Sequence, residues 1–357
     1  MNSSFKSNKF ISNEKYYDFR DVLILPRHSE INSRKLVNLE RKITFKNGVI
    51  WKGIPIIAAN MTTTGTLDVY KILSKHKIIT AFNKFYKLED LQKYNEINYD
   101  NLDPNYFMIS TGISDPDYTN LVNILDNFEC KFICIDIANG YINDFVNYCK
   151  KIREKYPDKI IVAGNVVTKM GVESLINVGV DIVKCGIGPG SACTTRIQTG
   201  IGMPQFSCVL ECAEFAKIHD AYIISDGGIT CPGDVSKAFG GGADFVMVGG
   251  IFAGHDENPG ELIEENGKQY KFFYGMSSSY AMKNNYAANN NSEYRSCEGR
   301  ELKILYKGKL DNTVQNYLGG IRSTCTYTNS RNIEDLNNNC KFILVNNQYN
   351  MNLVNSK

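Results

Sequence analysis

Residues 181–205 read DIVKCGIGPGSACTTRIQTGIGMPQ, and the fold turns on how this stretch is taken. It opens with a short apolar run around Ile182, Val183 and Cys185, of strand length and β-branched character. Glycine then appears at 186, 188 and 190. A strand running into glycines suggests the dinucleotide-binding turn of a doubly wound sheet, GxGxxG. GIGPGS lacks the third glycine, however, and carries Pro189 where the helix should begin. The open sheet loses its signature, and a closed barrel of parallel strands is favoured. The rest of the loop presents Ser191, Cys193, Thr194, Thr195 and Arg196. A thiol held between hydroxyls and an arginine can serve as a nucleophile. Spacing alone leaves an incidental cysteine in a glycine-rich turn equally open.

Outward from this stretch the same unit recurs. Apolar runs stand at 55–59 (PIIAA), 78–82 (IITAF), 106–110 (YFMIS), 132–136 (FICID) and 160–164 (IIVAG), then at 222–226 (YIISD) and 244–248 (DFVMV). Segments of helical period lie between them, at 118–127, 142–155, 170–178 and 206–219. Strands alternating with helices predict a parallel sheet buried on both faces. With 181–185 the runs number eight, which closes a TIM (β/α)8 barrel. Successive runs start roughly 20–30 residues apart, but about 41 separate positions 181 and 222. The surplus is the cysteine loop, on the rim where barrel active sites are built.

The 357 residues fit one such barrel with additions. An N-terminal extension occupies 1–50 and the catalytic barrel 51–330. The barrel carries an extended excursion at 268–274, and an asparagine-rich tail fills 331–357. A formal net charge of +2 argues against a nucleic-acid or membrane partner held by bulk electrostatics. No run nears the roughly 18 apolar residues of a membrane span. MNSSFKSNKFISNEKYY has no signal-peptide core, and Glu14, Asp18 and the lack of Arg argue against a transit peptide. Eleven cysteines without a CxxC predict reduced thiols and a cytoplasmic location. Cys208 and Cys212 share a helix face and are expected to pack in the core, since no further metal ligands stand near them.

Barrel geometry makes the last residues of each strand candidates for a site. These are Asn60-Met61, Ser110 to Gly112, Asp136 to Gly140, Asp226-Gly227-Gly228 and Gly249-Gly250. The glycine pairs after strands seven and eight match the barrel phosphate site, made of backbone N–H groups and a helix N-terminus. A phosphorylated ligand is expected. Asp226 either accepts hydrogen bonds from ribose hydroxyls or caps a helix. Residues 284–292 (NNYAANNNS) read as a polar surface segment. By charge alone Arg295 and Glu298 are an ordinary solvated pair.

GIGPGSACTTR followed by TGIGMPQ resembles the active-site loop of the IMP dehydrogenase/GMP reductase family, whose cysteine bonds to purine C2. The resemblance runs from DVLILP to GGIRSTCTY. The chain has no room for the regulatory insertion typical of the dehydrogenases. GMSSSYAMK, EYRSCEG and GGIRSTCTY are similar to the reductase branch. The resemblance implies reduction of GMP to IMP with NADPH and release of ammonia. The alternatives are an IMP dehydrogenase, making XMP with NAD, and a non-catalytic nucleotide-binding barrel.

It also implies roles residue by residue. Cys193 would attack C2 and form a thioimidate, while Thr195 and Glu298 would relay the proton that the departing amine needs. The substrate set would be Asp226, Gly227, Gly228, Gly249, Gly250, Gly275, Met276 and Ser277, with Arg295, Ser296, Cys297 and Gly299 around the base. The cofactor set would be Ser33, Arg34, Lys84, Asp136, Ile137, Ala138, Ile187 and Gly188, near Ser278. Ser323, Thr324, Cys325 and Thr326 would complete it from a neighbouring subunit, which implies a homo-oligomer, a tetramer in the family. Gly188, Gly190 and Cys193, with Arg196, resemble the family's monovalent-cation site for K+. Two departures stand out. The loop before Arg295 is asparagine-rich and about two residues longer than is usual in the family, and Asn83-Lys84-Phe85-Tyr86 replaces the family's HKHY.

Overall fold

The apolar runs become eight parallel strands in a computed structural model that describes residues 13–281 and 297–346. They are β1 (Ile50–Ala58), β2 (Ile78–Ala81), β3 (Phe107–Thr111), β4 (Phe132–Asp136), β5 (Ile160–Val166), β6 (Ile182–Cys185), β7 (Tyr222–Asp226) and β8 (Phe245–Val248). Each pairs with the next, and β8 returns to β1 with Val246 opposite Ile56 and Val248 opposite Ala58. The barrel is closed.

Alternation along the strands explains why both faces are apolar. Ile57, Ile79, Met108, Cys134, Val162, Ile182, Ile224 and Met247 gather in the barrel interior. Their neighbours Ile56, Ile133, Ile135, Val183, Ile223 and Val246 face outward, beneath the helices. Burying each such side chain contributes roughly 1.5–3 kcal/mol. The covering helices are α1 (Leu67–Leu73), α2 (Leu88–Ile97), α3 (Asp115–Asn127), α4 (Asn143–Lys155), α5 (Lys169–Ile176), α6 (Gln205–Ile218), α7 (Pro232–Gly240) and α8 (Leu310–Tyr327). Local signals start several of them. Ser114 accepts from the Asp117 backbone N–H while Asp117 reaches back, a capping box on α3. Thr66 and Thr168 cap α1 and α5 by accepting from the backbone N–H groups of Val69 and Gly171.

The start of the first strand differs from the sequence reading. β1 starts at Ile50 because its first residues pair antiparallel with Arg41–Thr44. Ile43, Phe45 and Trp51 from this hairpin fill the barrel floor, so the end of the 1–50 extension belongs to the barrel core. Trp51 is fully buried and donates its indole N–H to the Asn105 carbonyl at 2.8 Å. Residues beyond 331 also take regular structure. Asn332 caps a helix at Ile333–Asn339, and Phe342–Leu344 pairs antiparallel with Val22–Ile24. The two ends of the chain clasp each other, and only 347–357 of the expected tail lies outside the described residues.

The excursion forms as expected. Lys268–Tyr274 is the centre of a three-stranded antiparallel sheet with Ile263–Glu265 and Glu301–Leu305. Phe273 from this sheet packs on Ala192 and Ala253, which sets it beside the cysteine loop. Cys208 and Cys212 are buried on α6, and all eleven cysteines are free. Among the described residues no helix is long and apolar enough to cross a membrane.

Candidate active site

The loop from β6 to α6 carries Cys193 and is laced to a second segment 103 residues away. The Cys193 thiol donates to Thr195 Oγ1 at 3.2 Å, and the Thr195 hydroxyl donates to Glu298 Oε2 at 2.8 Å. Backbone bonds hold this chain of three. Thr194 N donates to the Glu298 carbonyl at 2.9 Å, Arg300 N to the Ala192 carbonyl at 3.0 Å, and Cys193 bridges Gly299 as in an antiparallel pair. The fit is tight. A Cβ on Gly299 would lie 2.7 Å from Ser278 N, and one on Gly275 would lie 2.9 Å from the Ala192 carbonyl.

Both glycine pairs touch this loop. Gly227 and Gly228 take φ of +88° and +78°, conformations that favour glycine. A Cβ on Gly227 would meet Pro189 at 2.9 Å, and one on Gly250 would meet Ser191 Oγ at 2.8 Å. Residues 189–191 therefore rest on both pairs, two positions before the thiol. Lys307 fixes the second turn by donating to the carbonyls of Gly250, Ile251 and Ala253 at 3.2, 3.0 and 2.8 Å. After the first pair α7 starts at Pro232, and after β8 Gly249 closes a turn by accepting from Phe252 N at 3.0 Å.

Asp226 is not a helix cap. Its Oδ2 accepts from Asn165 Nδ2 at 2.8 Å and faces Lys184 Nζ at 3.4 Å. Lys184 is only 2% exposed and reaches Asp136 Oδ1 at 3.1 Å on its other side. Asn60 Nδ2 donates to Asp136 Oδ2 at 2.6 Å. Burial acts to lower the Lys184 pKa, but the carboxylates of Asp136 and Asp226 outweigh it and hold the pKa above the ordinary lysine value. Neither Lys184 nor Asn165 is among the residues that the sequence reading picks out. A lysine inside an apolar strand and an asparagine at the rim of β5 were the available signals.

The other expected residues divide. Met276 Sδ accepts from Thr62 N at 3.5 Å, and the Cys297 thiol faces the carbonyls of Ser277 and Gly299 at 3.3 and 3.1 Å, so Ser277, Cys297 and Gly299 lie together. Arg295 and Ser296 lie outside the described residues. Ile137 is held by Gly164 and Asn165 through backbone bonds of 3.0 and 2.9 Å, and Ala138 is exposed at the rim. Lys84 Nζ pairs with Asp117, at 3.0 and 3.2 Å from its two oxygens. Ser33 caps the turn at Arg34–Leu36, which packs against α8. Ser323, Thr324 and Thr326 bond back to α8 carbonyls. Cys325 is fully buried and its side chain packs in the core.

The residues of the expected cation site lie close together in this loop. Ile187 is buried beside them, and a Cβ on Gly188 (φ +88°) would lie 2.5 Å from Arg196 Cγ. Arg196 donates to Asp18 Oδ2 and to the Met203 carbonyl. A guanidinium has no acceptor, so Arg196 can offer an ion only its backbone carbonyl. Gly190 O accepts from Cys193 N and Arg196 O from Gly200 N, each leaving a second lone pair. Among the described residues no group of three or more His, Cys, Asp or Glu is placed to hold a metal.

Residues 16–351 match the family model described as IMP dehydrogenase / GMP reductase domain. The chain is 47% identical over 346 residues to a Caenorhabditis elegans protein named GMP reductase, covering 95% of each. It is 48% identical over 342 residues to Homo sapiens GMP reductase 2, covering 95% of this chain and 97% of the relative. A GMP reductase of Escherichia coli O81 is 50% identical over 335 residues, with 93% and 95% covered. The chain belongs to the IMP dehydrogenase/GMP reductase family.

Proposed function

We propose that the chain catalyses reductive deamination of GMP to IMP with NADPH, releasing ammonia. The observation that carries this reading is the continuous hydrogen-bond chain from Cys193 through Thr195 to Glu298. A nucleotide-binding barrel without catalysis needs no such relay. The relatives' names and the reductase-type segments favour this over IMP oxidation.

In this reading Cys193 Sγ adds to C2 of the purine. The 2-amino group takes a proton through Thr195 and Glu298 and leaves as ammonia, which gives a thioimidate on Cys193. A positioned acid contributes about 10²–10⁴ to such a step. A bound nicotinamide would supply the hydride at C2, and Cys193 would leave as the thiolate to give IMP. Glu298 and Cys193 are both half-buried where the two segments are laced together. Backbone N–H groups of the turns at Gly227-Gly228 and Gly249-Gly250 hold the phosphate, and Asp226 takes the ribose hydroxyls. Asp136, Ile137 and Ala138 line the cofactor side, with the exposed Arg34 suited to a cofactor phosphate. Exposed Ile197 and Ile201 on the cysteine loop support an oligomer. The carbonyls at Gly188, Gly190, Cys193 and Arg196 suit a weakly hydrated monovalent cation such as K+, which would stiffen the loop that carries the thiol. Eleven free thiols support a reducing, cytoplasmic setting.

The test follows nicotinamide absorbance with GMP, IMP or XMP present. NADPH oxidation only with GMP, matched by ammonia, is expected. XMP formation from IMP and NAD would overturn the reading.

A further inference from the structure

Lys184 stands between two carboxylates that the proposed function places on opposite sides of the reaction. Its Nζ lies 3.1 Å from Asp136 Oδ1 and 3.4 Å from Asp226 Oδ2. Each carboxylate has one further amide donor, Asn60 for Asp136 at 2.6 Å and Asn165 for Asp226 at 2.8 Å. Cys134 adjoins the cluster, but burial pushes its thiol up to about 12, so it stays neutral. Two negative charges therefore share one buried positive charge. Movement of the ammonium toward either carboxylate weakens its hold on the other, and at this depth such pairs are poorly screened.

We infer that Lys184 is a positioning residue that couples the two halves of the site, so that filling the substrate side at Asp226 changes cofactor affinity at Asp136. The inference rests on the functional reading above. Ribose hydroxyls donating to Asp226 take over part of its charge compensation. Lys184 is then freer to fix Asp136 toward the cofactor. By linkage the cofactor has the same effect on substrate affinity.

Calorimetric titration of GMP into the Cys193→Ala protein, with and without saturating NADPH, reads the coupling without turnover. NADPH is expected to change the GMP Kd by about fivefold or more. Adding Lys184→Gln is expected to bring that factor to one, and Lys184→Arg to restore part of it. A factor that is unchanged in Lys184→Gln, or that is one in the parent, overturns the inference. Should Lys184→Gln fail to fold, Asp136→Asn is titrated with GMP alone. A GMP affinity altered by about threefold or more supports the coupling, and an unchanged affinity overturns it. Failure of Cys193→Ala to bind GMP at all overturns the functional reading itself.

Discussion

Thr195 Oγ1 donates to Glu298 Oε2 at 2.8 Å, joining residues 103 positions apart in the chain. This bond links the loop that bears the thiol to the segment that leads into the last strand of the excursion, and in the proposed reaction it completes the route by which a proton reaches the leaving amine. Glu298→Gln keeps the shape but cannot gain and pass on a proton. Ammonia release in a single turnover should slow by about 10²–10⁴. An unchanged rate would assign the proton to another group. Thr195→Val should have a similar effect, and the double variant little more, as befits two groups acting as one relay.

Gly299 offers a geometric test. A Cβ there would lie 2.7 Å from Ser278 N, a backbone atom that cannot swing aside. Gly299→Ala should push the Glu298 segment off the Cys193 loop. A misplacement on the order of 1 Å costs roughly 10² in rate. The expected result is a fall in kcat of that order with thermal unfolding little changed, measured by steady-state kinetics and calorimetry.

The barrel was legible because β-branched runs recur at βα spacing and every strand is buried on both faces. The runs at 132–136 and 222–226 coincide with β4 and β7. The hairpin at Arg41–Thr44 was not legible, since the adjacent charges of Arg41 and Lys42 disguise a strand with only Ile43 buried. Nor was the folded part of the tail, where asparagine composition hid the cap at Asn332. Within the site, motif order carried Cys193, Thr195 and Glu298. Lys184 escaped because its partners Asp136 and Asp226 lie on other strands, and only the pairing of β4 to β7 in the sheet brings the three together.

Lys307 should matter to substrate binding though it is far along the chain. Its three bonds to the carbonyls of Gly250, Ile251 and Ala253 hold the turn that bears the second glycine pair. Lys307→Met should raise the KM for GMP by about tenfold, the worth of one charge-assisted bond, with a much smaller effect on kcat. Equal KM values would separate this turn from the phosphate.

Stability should fall on mild acidification through His255. The ring is fully buried, and burial followed by the charge of Lys307 lowers its pKa to about 4. The unfolded chain takes up the proton near about 6.5. Stability is therefore full above that value and declines as pH drops toward 4. His255→Gln, which can keep the bond to Thr313 Oγ1, should show a shallower decline between those pH values in denaturant titrations. A slope equal to the parent's would contradict a neutral buried imidazole.

The covalent role of Cys193 is tested most directly by following NADPH oxidation with GMP in the Cys193→Ala protein, while GMP binding is measured by calorimetry. The account predicts that GMP still binds and that no NADPH is consumed. NADPH oxidation at a rate near that of the parent would contradict it.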